Sequence, residues 1–310
     1  MTKTTLNIVY SPQTGPSVKV FENENGEIWN SKDKHPDKIN IGMGWYSIRD
    51  PRPKSGDCLF VVEPMCVLER DYNVNFCNRF DKIITWAEKA FTNPRVKDKV
   101  VVINHPSFHN FPTSEEASKN WLPWKDRKNE IVFIANNKTS KHHSELYSLR
   151  IQVADMFYQN GFEVSWYGQI PLNKPYYKGK AADKQEILRE VKFSMCCENS
   201  YDPDYSHGYF SEKLPDVWRS GAMPLYMGCF NIDDFGFFDG SYIDLRKYIK
   251  KKGRHHKINQ EDLLNKIKSI TEEEHATWTT RIKNEIIDSK FFREQISFEK
   301  AYKTILESFQ

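Results

Sequence analysis

Two doubly wound α/β sheets, one in each half of the chain, followed by a helical tail, form the architecture predicted by the 310-residue sequence. Three observations carry that prediction. Short apolar runs recur at Cys58–Val62 (CLFVV), Lys99–Asn104 (KVVVIN), Glu130–Ala135 (EIVFIA) and Val191–Cys197 (VKFSMCC); each reads as a strand, and the continuous CLFVV has the mark of a central parallel one. From Glu130 onward these runs alternate with segments of helical periodicity. Beyond Gln260 the pattern is helical throughout.

In chain order, Leu6–Tyr10 reads as the first strand. Residues 18–45 hold weak strand signals among turns rich in Asn, Gly and Pro, and give no functional reading. Phe80–Trp86 adds a strand between the CLFVV and KVVVIN runs. The loop between Asn104 and Trp124 is rich in His and aromatic residues, which suits either stacking on a sugar ring or packing at a surface. The charged, glycine-free stretch 125–129 marks the expected boundary between an N-terminal domain, 1–128, and a C-terminal domain, 129–310.

In the second domain, Ser144–Asn160 is expected to be a helix, with Leu146, Leu149, Val153, Ala154, Phe157 and Tyr158 on its apolar face and Gly161 as its stop. A strand over Phe162–Tyr167 and a short helix over Lys184–Val191 follow. Ser211 to Gly221 reads as a helix with Pro215 in its first turn, where a missing N–H matters little. Pro224–Gly228 reads as a strand. Leu245–Lys251, Gln260–Ile270, Glu272–Ile287 and Ser297–Phe309 complete the expected helices. The basic run Lys250–Lys257 (KKKGRHHK) reads as a solvated loop, or as a contact for an acidic partner.

Composition narrows the class. No apolar run approaches the roughly 18 residues of a membrane helix, and Leu6–Tyr10 is a strand rather than a signal peptide. The expected location is cytoplasmic, unless the chain is a soluble portion lacking an anchor. A formal net charge of +3 makes no strong case for nucleic acid or a membrane surface as partner. The six cysteines show neither C-x-x-C pairs nor zinc spacing, and small buried hydrophobes are the expected role of Cys196 and Cys197. There is no G-x-G-x-x-G after the first strand, no P-loop, no G-x-S-x-G and no H-E-x-x-H.

The chemistry concentrates in residues 190–235. A buried strand, a polar loop and a helix start follow one another, the geometry in which α/β sheets bind ligands at the carboxyl ends of strands. Lys213 sits at the helix N-terminus, where the helix dipole repels a cation, and so hints at a bound anion. Glu212 can accept hydrogen bonds from sugar hydroxyls, and Tyr209 can cover an apolar face. Arg150, on the helix after a strand and a polar turn, can fork onto a diphosphate. Glu63 follows the CLFVV strand, where α/β enzymes place catalytic groups; capping of the next turn is its other reading. Asp202-Pro-Asp204 has the form of a metal-binding D-x-D, yet it lies in the loop before Glu212, the wrong place for that role.

These residues resemble a family. Cys197-Glu198-Asn199-Ser200, then Tyr209-Phe210-Ser211-Glu212-Lys213, then Gly221-Ala-Met-Pro224-Leu-Tyr-Met-Gly228 is similar to the signature of the α1,3-fucosyltransferases. Weaker matches flank it in the same order. Phe133 to Asn137, Leu149-Arg150-Ile151 and Val164 to Gly168 lie on one side of the signature within the second domain, and Glu63-Pro64, Phe80-Asp81 and Thr85-Trp86 in the first. Together they cover roughly residues 57–240. Cys197 stands where the family has Phe, the gap before Tyr209 is longer, and Asn136 replaces Ser. The resemblance implies a GT-B fold of two Rossmann-like domains facing a cleft. It implies inverting transfer of fucose from GDP-fucose to a glycan hydroxyl, with no metal or other cofactor. Glu63 would be the general base, with Arg150, Asn199, Tyr209, Glu212 and Lys213 binding the donor. The same scaffold using another nucleotide sugar, or a non-catalytic glycan or nucleotide binder, are the other readings.

Overall fold

A computed structural model describes residues 4–9, 18–31, 38–43, 56–105 and 110–310. Tyr10 of the expected first strand, Trp45 at the end of the weak-signal stretch 18–45, and Pro106 and His109 of the aromatic loop lie outside the described residues. The chain falls into two compact units. One takes the described residues of 1–109 together with 202–209 and 294–310; the other takes 110–201 and 210–293. The division thus precedes residue 128, and the last helix returns to the first unit. Arg127 shows why 110–127 go with the second unit: its buried guanidinium donates to the carbonyls of Leu122 (2.9 Å), Val191 (3.1 Å) and Ser220 (3.0 Å).

The first unit holds a seven-stranded sheet. Its strands are β1 (Thr4–Val9), β2 (Val18–Asn23), β3 (Gly26–Ser31), β4 (Ile39–Met43), β5 (Cys58–Val61), β6 (Lys82–Thr85) and β7 (Val100–Val102). They run in the order β2-β3-β1-β4-β5-β6-β7, parallel except for the β2–β3 pair. Weak signals in residues 18–45 thus resolve into three strands. Side-chain alternation sends Cys58 and Phe60 to one face and Leu59 and Val61 to the other, and both faces are covered, which is why CLFVV reads as continuously apolar. Buried Asn7 donates to Asn40 (3.0 Å) across the β1–β4 register and so fixes it.

The second unit holds a six-stranded, wholly parallel sheet. Its strands are β8 (Lys128–Ile134), β9 (Glu163–Tyr167), β10 (Tyr177–Gly179), β11 (Val191–Cys197), β12 (Met223–Met227) and β13 (Ile243–Asp244). Helices α1 (Tyr147–Gln159), α2 (Lys184–Glu190) and α3 (Lys213–Trp218) connect them. The order β10-β9-β8-β11-β12-β13 is that of a doubly wound nucleotide-binding sheet, whose direction reverses between β8 and β11. Trp121 and Trp124 are built into this unit: Trp121 Nε1 donates to Arg219 O (2.8 Å), and Trp124 is buried against His275.

One expected helix is absent. Leu245–Lys247 forms a single turn, and β14 (Ile249–Lys252) then pairs antiparallel with β15 (His255–Ile258). Gly253 at φ +59° makes the turn, a conformation a helix interior cannot supply. The basic run is therefore a hairpin rather than a loop. Helices α4 (Gln260–Ser269) and α5 (Glu272–Arg281) follow, and a π-helical turn, Ile282–Ile287, ends the expected 272–287 helix. After α6 (Lys290–Ile296), α7 (Phe298–Glu307) places Ala301, Tyr302, Ile305 and Leu306 in the core of the first unit with Leu6, Ile41 and Phe60.

Candidate functional site

The chain before α1 is laced to the segment after β11. Leu146 N–H donates to Asn199 O (3.0 Å), Tyr201 N–H donates to Ser144 O (2.8 Å), and Glu145 bridges Ser200. This sets Arg150, one turn into α1, against the carboxyl end of β11. Its Nη2 donates to Cys197 O (2.8 Å), Glu198 O (2.6 Å) and Asn199 Oδ1 (3.0 Å). The side chain is 3% exposed, its Nε is buried without a hydrogen-bond partner, and among the described residues no carboxylate pairs with it.

Lys213 begins α3. Its Nζ donates to Glu198 Oε2 (2.9 Å) and to Ser211 Oγ (3.0 Å), with Glu212 Oε1 3.7 Å away. Glu198 is 0% exposed. Ser211 completes its shell, the N–H donating at 2.9 Å and the hydroxyl lying 2.7 Å from both carboxylate oxygens. Burial opposes the charge of Lys213, but the Glu198 carboxylate, followed by Glu212, outweighs it and holds the amine above its ordinary value. The dipole argument for a bound anion at Lys213 is therefore answered within the protein by Glu198. Arg150, unlike Lys213, has no carboxylate partner among the described residues.

Both cations line a cavity of about 350 Å³ within the second unit. Asn136 follows β8, Gly168 follows β9, Lys180 follows β10 and Asn199 follows β11, so the cavity sits at the carboxyl ends of strands on both sides of the sheet's reversal point. Lys138 and Lys180 join Arg150 and Lys213 on its wall; Glu212, 43% exposed, is the acidic side chain there. Four cations against one carboxylate suit a polyanion. Sequence reasoning missed Glu198, Lys138 and Lys180 as site residues. The two lysines follow strands β8 and β10, and that position was their available signal.

Of the predicted site residues, Arg150, Asn199, Glu212 and Lys213 line one cavity. Tyr209 does not: it belongs to the first unit, 2% exposed and stacked on Trp86 with ring centroids 4.7 Å apart. Glu63 is also in the first unit, just past β5, where its carbonyl accepts from Tyr72 Oη (3.0 Å). Asp202 and Asp204 lie in a turn in which Asp202 Oδ1 accepts the N–H of Asp204 (3.0 Å) and of Tyr205 (3.2 Å). All six cysteines are free and buried; burial pushes the thiols of Cys58, Cys77 and Cys197 up to about 12, so they stay protonated at neutral pH. No described helix is long and apolar enough to cross a membrane.

No protein-family model matches the chain. It is 30% identical over 142 residues to the α-(1,3)-fucosyltransferase FucT of Helicobacter pylori, a stretch that spans 41% of this chain and 25% of that protein. Its fold is similar to that of a solved α1,3-fucosyltransferase with GDP: TM-score 0.55, 17% identity, 98% of this chain and 91% of that one. The structure of TarM matches at TM-score 0.52 and 15% identity, over 88% of this chain and 55% of TarM. An α-glucosyltransferase in complex with UDP matches at 0.50 and 11%, over 87% and 80%. The chain thus has the GT-B fold, and over the aligned 142 residues its sequence is similar to that of an α-(1,3)-fucosyltransferase.

Proposed function

We propose that the chain is an inverting glycosyltransferase that moves fucose from GDP-fucose to a glycan hydroxyl, α1,3 linkage included, without a metal. The observation that carries the reading is the buried guanidinium of Arg150, unmatched by any described carboxylate, on the wall of a cavity shared with Lys138, Lys180 and Lys213. Direct displacement releases a nucleoside diphosphate, and fixed cations stabilise the charge that gathers on it. Arg150 and Lys213 are assigned that task, and Asn199 and Glu212 the donor's hydroxyls. Tyr209 was assigned to the donor by sequence; its buried stack on Trp86 instead suits a role in shaping the first unit. Glu63 is assigned as general base. It takes the proton of the acceptor hydroxyl as that oxygen bonds to the anomeric carbon and the bond to the diphosphate breaks.

The likeness to TarM and to the UDP-bound glucosyltransferase keeps a second reading in view, the same scaffold with another nucleotide sugar. Calorimetric titration with GDP, UDP, GDP-fucose and GDP-mannose, with EDTA present, separates the two. Binding of GDP and GDP-fucose supports the first reading. Preference for UDP, or binding only after magnesium or manganese is restored, refutes it and returns attention to Asp202 and Asp204.

A further inference from the structure

Two of the four cations of the cavity, Arg150 and Lys213, bond to the same residue, one that does not line the cavity. Glu198 follows β11, fully buried, with its N–H bonded to Met227 O at 2.9 Å. Its carbonyl accepts from Arg150 (2.6 Å), while its carboxylate accepts from Lys213 (2.9 Å) and is braced by Ser211. Gly228 makes the room, since a Cβ at that position would overlap Cβ and Cγ of Glu198. We propose that Glu198 is a positioning residue for diphosphate binding, fixing the Lys213 amine at the cavity wall beside Arg150 without itself touching the ligand. The proposal rests on the reading of the cavity as a nucleoside diphosphate site.

The physics is that of two buried like charges. Burial disfavours the charge on Lys213, and Arg150 disfavours it further. Glu198 offsets both. It also fixes a long side chain that would otherwise lose its rotamer freedom only when ligand binds. With Glu198 counted against Lys213, Arg150 keeps a full charge for the ligand.

The test is titration of GDP, with EDTA present, into the wild-type protein, Glu198→Gln, Lys213→Met and the double variant at pH 7 and pH 9, with thermal melts to establish folding. Glu198→Gln is expected to bind GDP about tenfold more weakly at pH 7. The deficit relative to wild type should widen at pH 9, because an amine without its carboxylate partner loses its proton at lower pH. In the Lys213→Met background, Glu198→Gln should bring no further loss. A merely structural Glu198 would weaken binding equally in both backgrounds and at both pH values, and that result overturns the proposal, as does wild-type affinity in Glu198→Gln. Absence of GDP binding by the wild-type protein overturns the diphosphate reading, and the positioning role with it. Should Glu198→Gln not fold, Ser211→Ala keeps the carboxylate but frees it to move. A loss of about threefold is then expected in the wild-type background and none in the Lys213→Met background; unchanged affinity, or the same loss in both backgrounds, overturns the proposal.

Discussion

Arg150→Met is expected to weaken GDP binding by about 30- to 150-fold while leaving guanosine binding nearly unchanged. A unit charge about 4 Å from a phosphate oxygen at an effective dielectric of about 20 interacts by roughly 4 kcal/mol. Lys138, Lys180 and Lys213 remain on the cavity wall and recover part of that, which leaves a loss of about 2–3 kcal/mol, or the stated range of affinity. The variant also strips a donor from the carbonyls of Cys197 and Glu198 and from Asn199, so its melting temperature should fall. Arg150→Lys separates charge from geometry: it should recover part of the GDP affinity but little of the stability, since an ammonium lacks the planar fork. The assay is isothermal titration with GDP and with guanosine, below the melting transition of each variant. A folded Arg150→Met protein that binds GDP within about threefold of wild type would refute the argument that this guanidinium holds the diphosphate.

Three further outcomes are expected. Glu63→Gln should lower turnover by about 10²- to 10⁴-fold and leave the GDP dissociation constant unchanged; a parallel loss of GDP binding would move Glu63 out of proton transfer. Gly228→Ala should destabilise the protein by about 1–3 kcal/mol in denaturant melts, because its Cβ would meet the Glu198 side chain, and a wild-type midpoint would mean that Glu198 has another place to go. His275 is buried, which pushes its imidazole down to about 4 despite its bond to Gly221 O, so below about pH 6.5 the unfolded chain takes up a proton that the folded one refuses. Its contribution is complete above pH 6.5 and is lost as pH falls to about 4, up to about 3 kcal/mol; His275→Gln should lack that part of the pH slope, and identical slopes for the two proteins would contradict it.

The sheets were readable because buried parallel strands are apolar on both faces, as CLFVV, EIVFIA and VKFSMCC are. Strands β2 to β4 were obscured by mixed burial, with polar residues such as Glu27 and Asn40 set among the apolar ones. Leu245, Tyr248 and Ile249 sit at helical spacing, and the misleading helix they suggest is broken only by the left-handed turn at Gly253, which local periodicity does not register. At the site, the signature motif picked out Asn199, Glu212 and Lys213, and a flanking match Arg150, but the motif treated the intervening loop as one piece. The chain passes into the first unit over 202–209 and takes Tyr209 with it, a choice made by the aromatic surface of Trp86. Glu198 stood in plain view within the motif, yet its partners lie 13 and 15 positions along the chain, and spacing of that kind names no contact.

Helix α7 has a consequence for how the molecule is made. Its residues Ala301, Tyr302, Ile305 and Leu306 fill the same core as Leu6 and Ile41, so the strands of this unit leave the ribosome long before α7, and their core cannot close until it has emerged. At roughly 5–20 residues per second, synthesis of the intervening chain takes on the order of ten to fifty seconds. During that interval the apolar face of β1, β4 and β5 stands open while the second unit has all its strands available to fold. Nascent protein is therefore most exposed to aggregation, and to chaperone capture, through the strands of this sheet, and the emergence of α7 is the event that seals them.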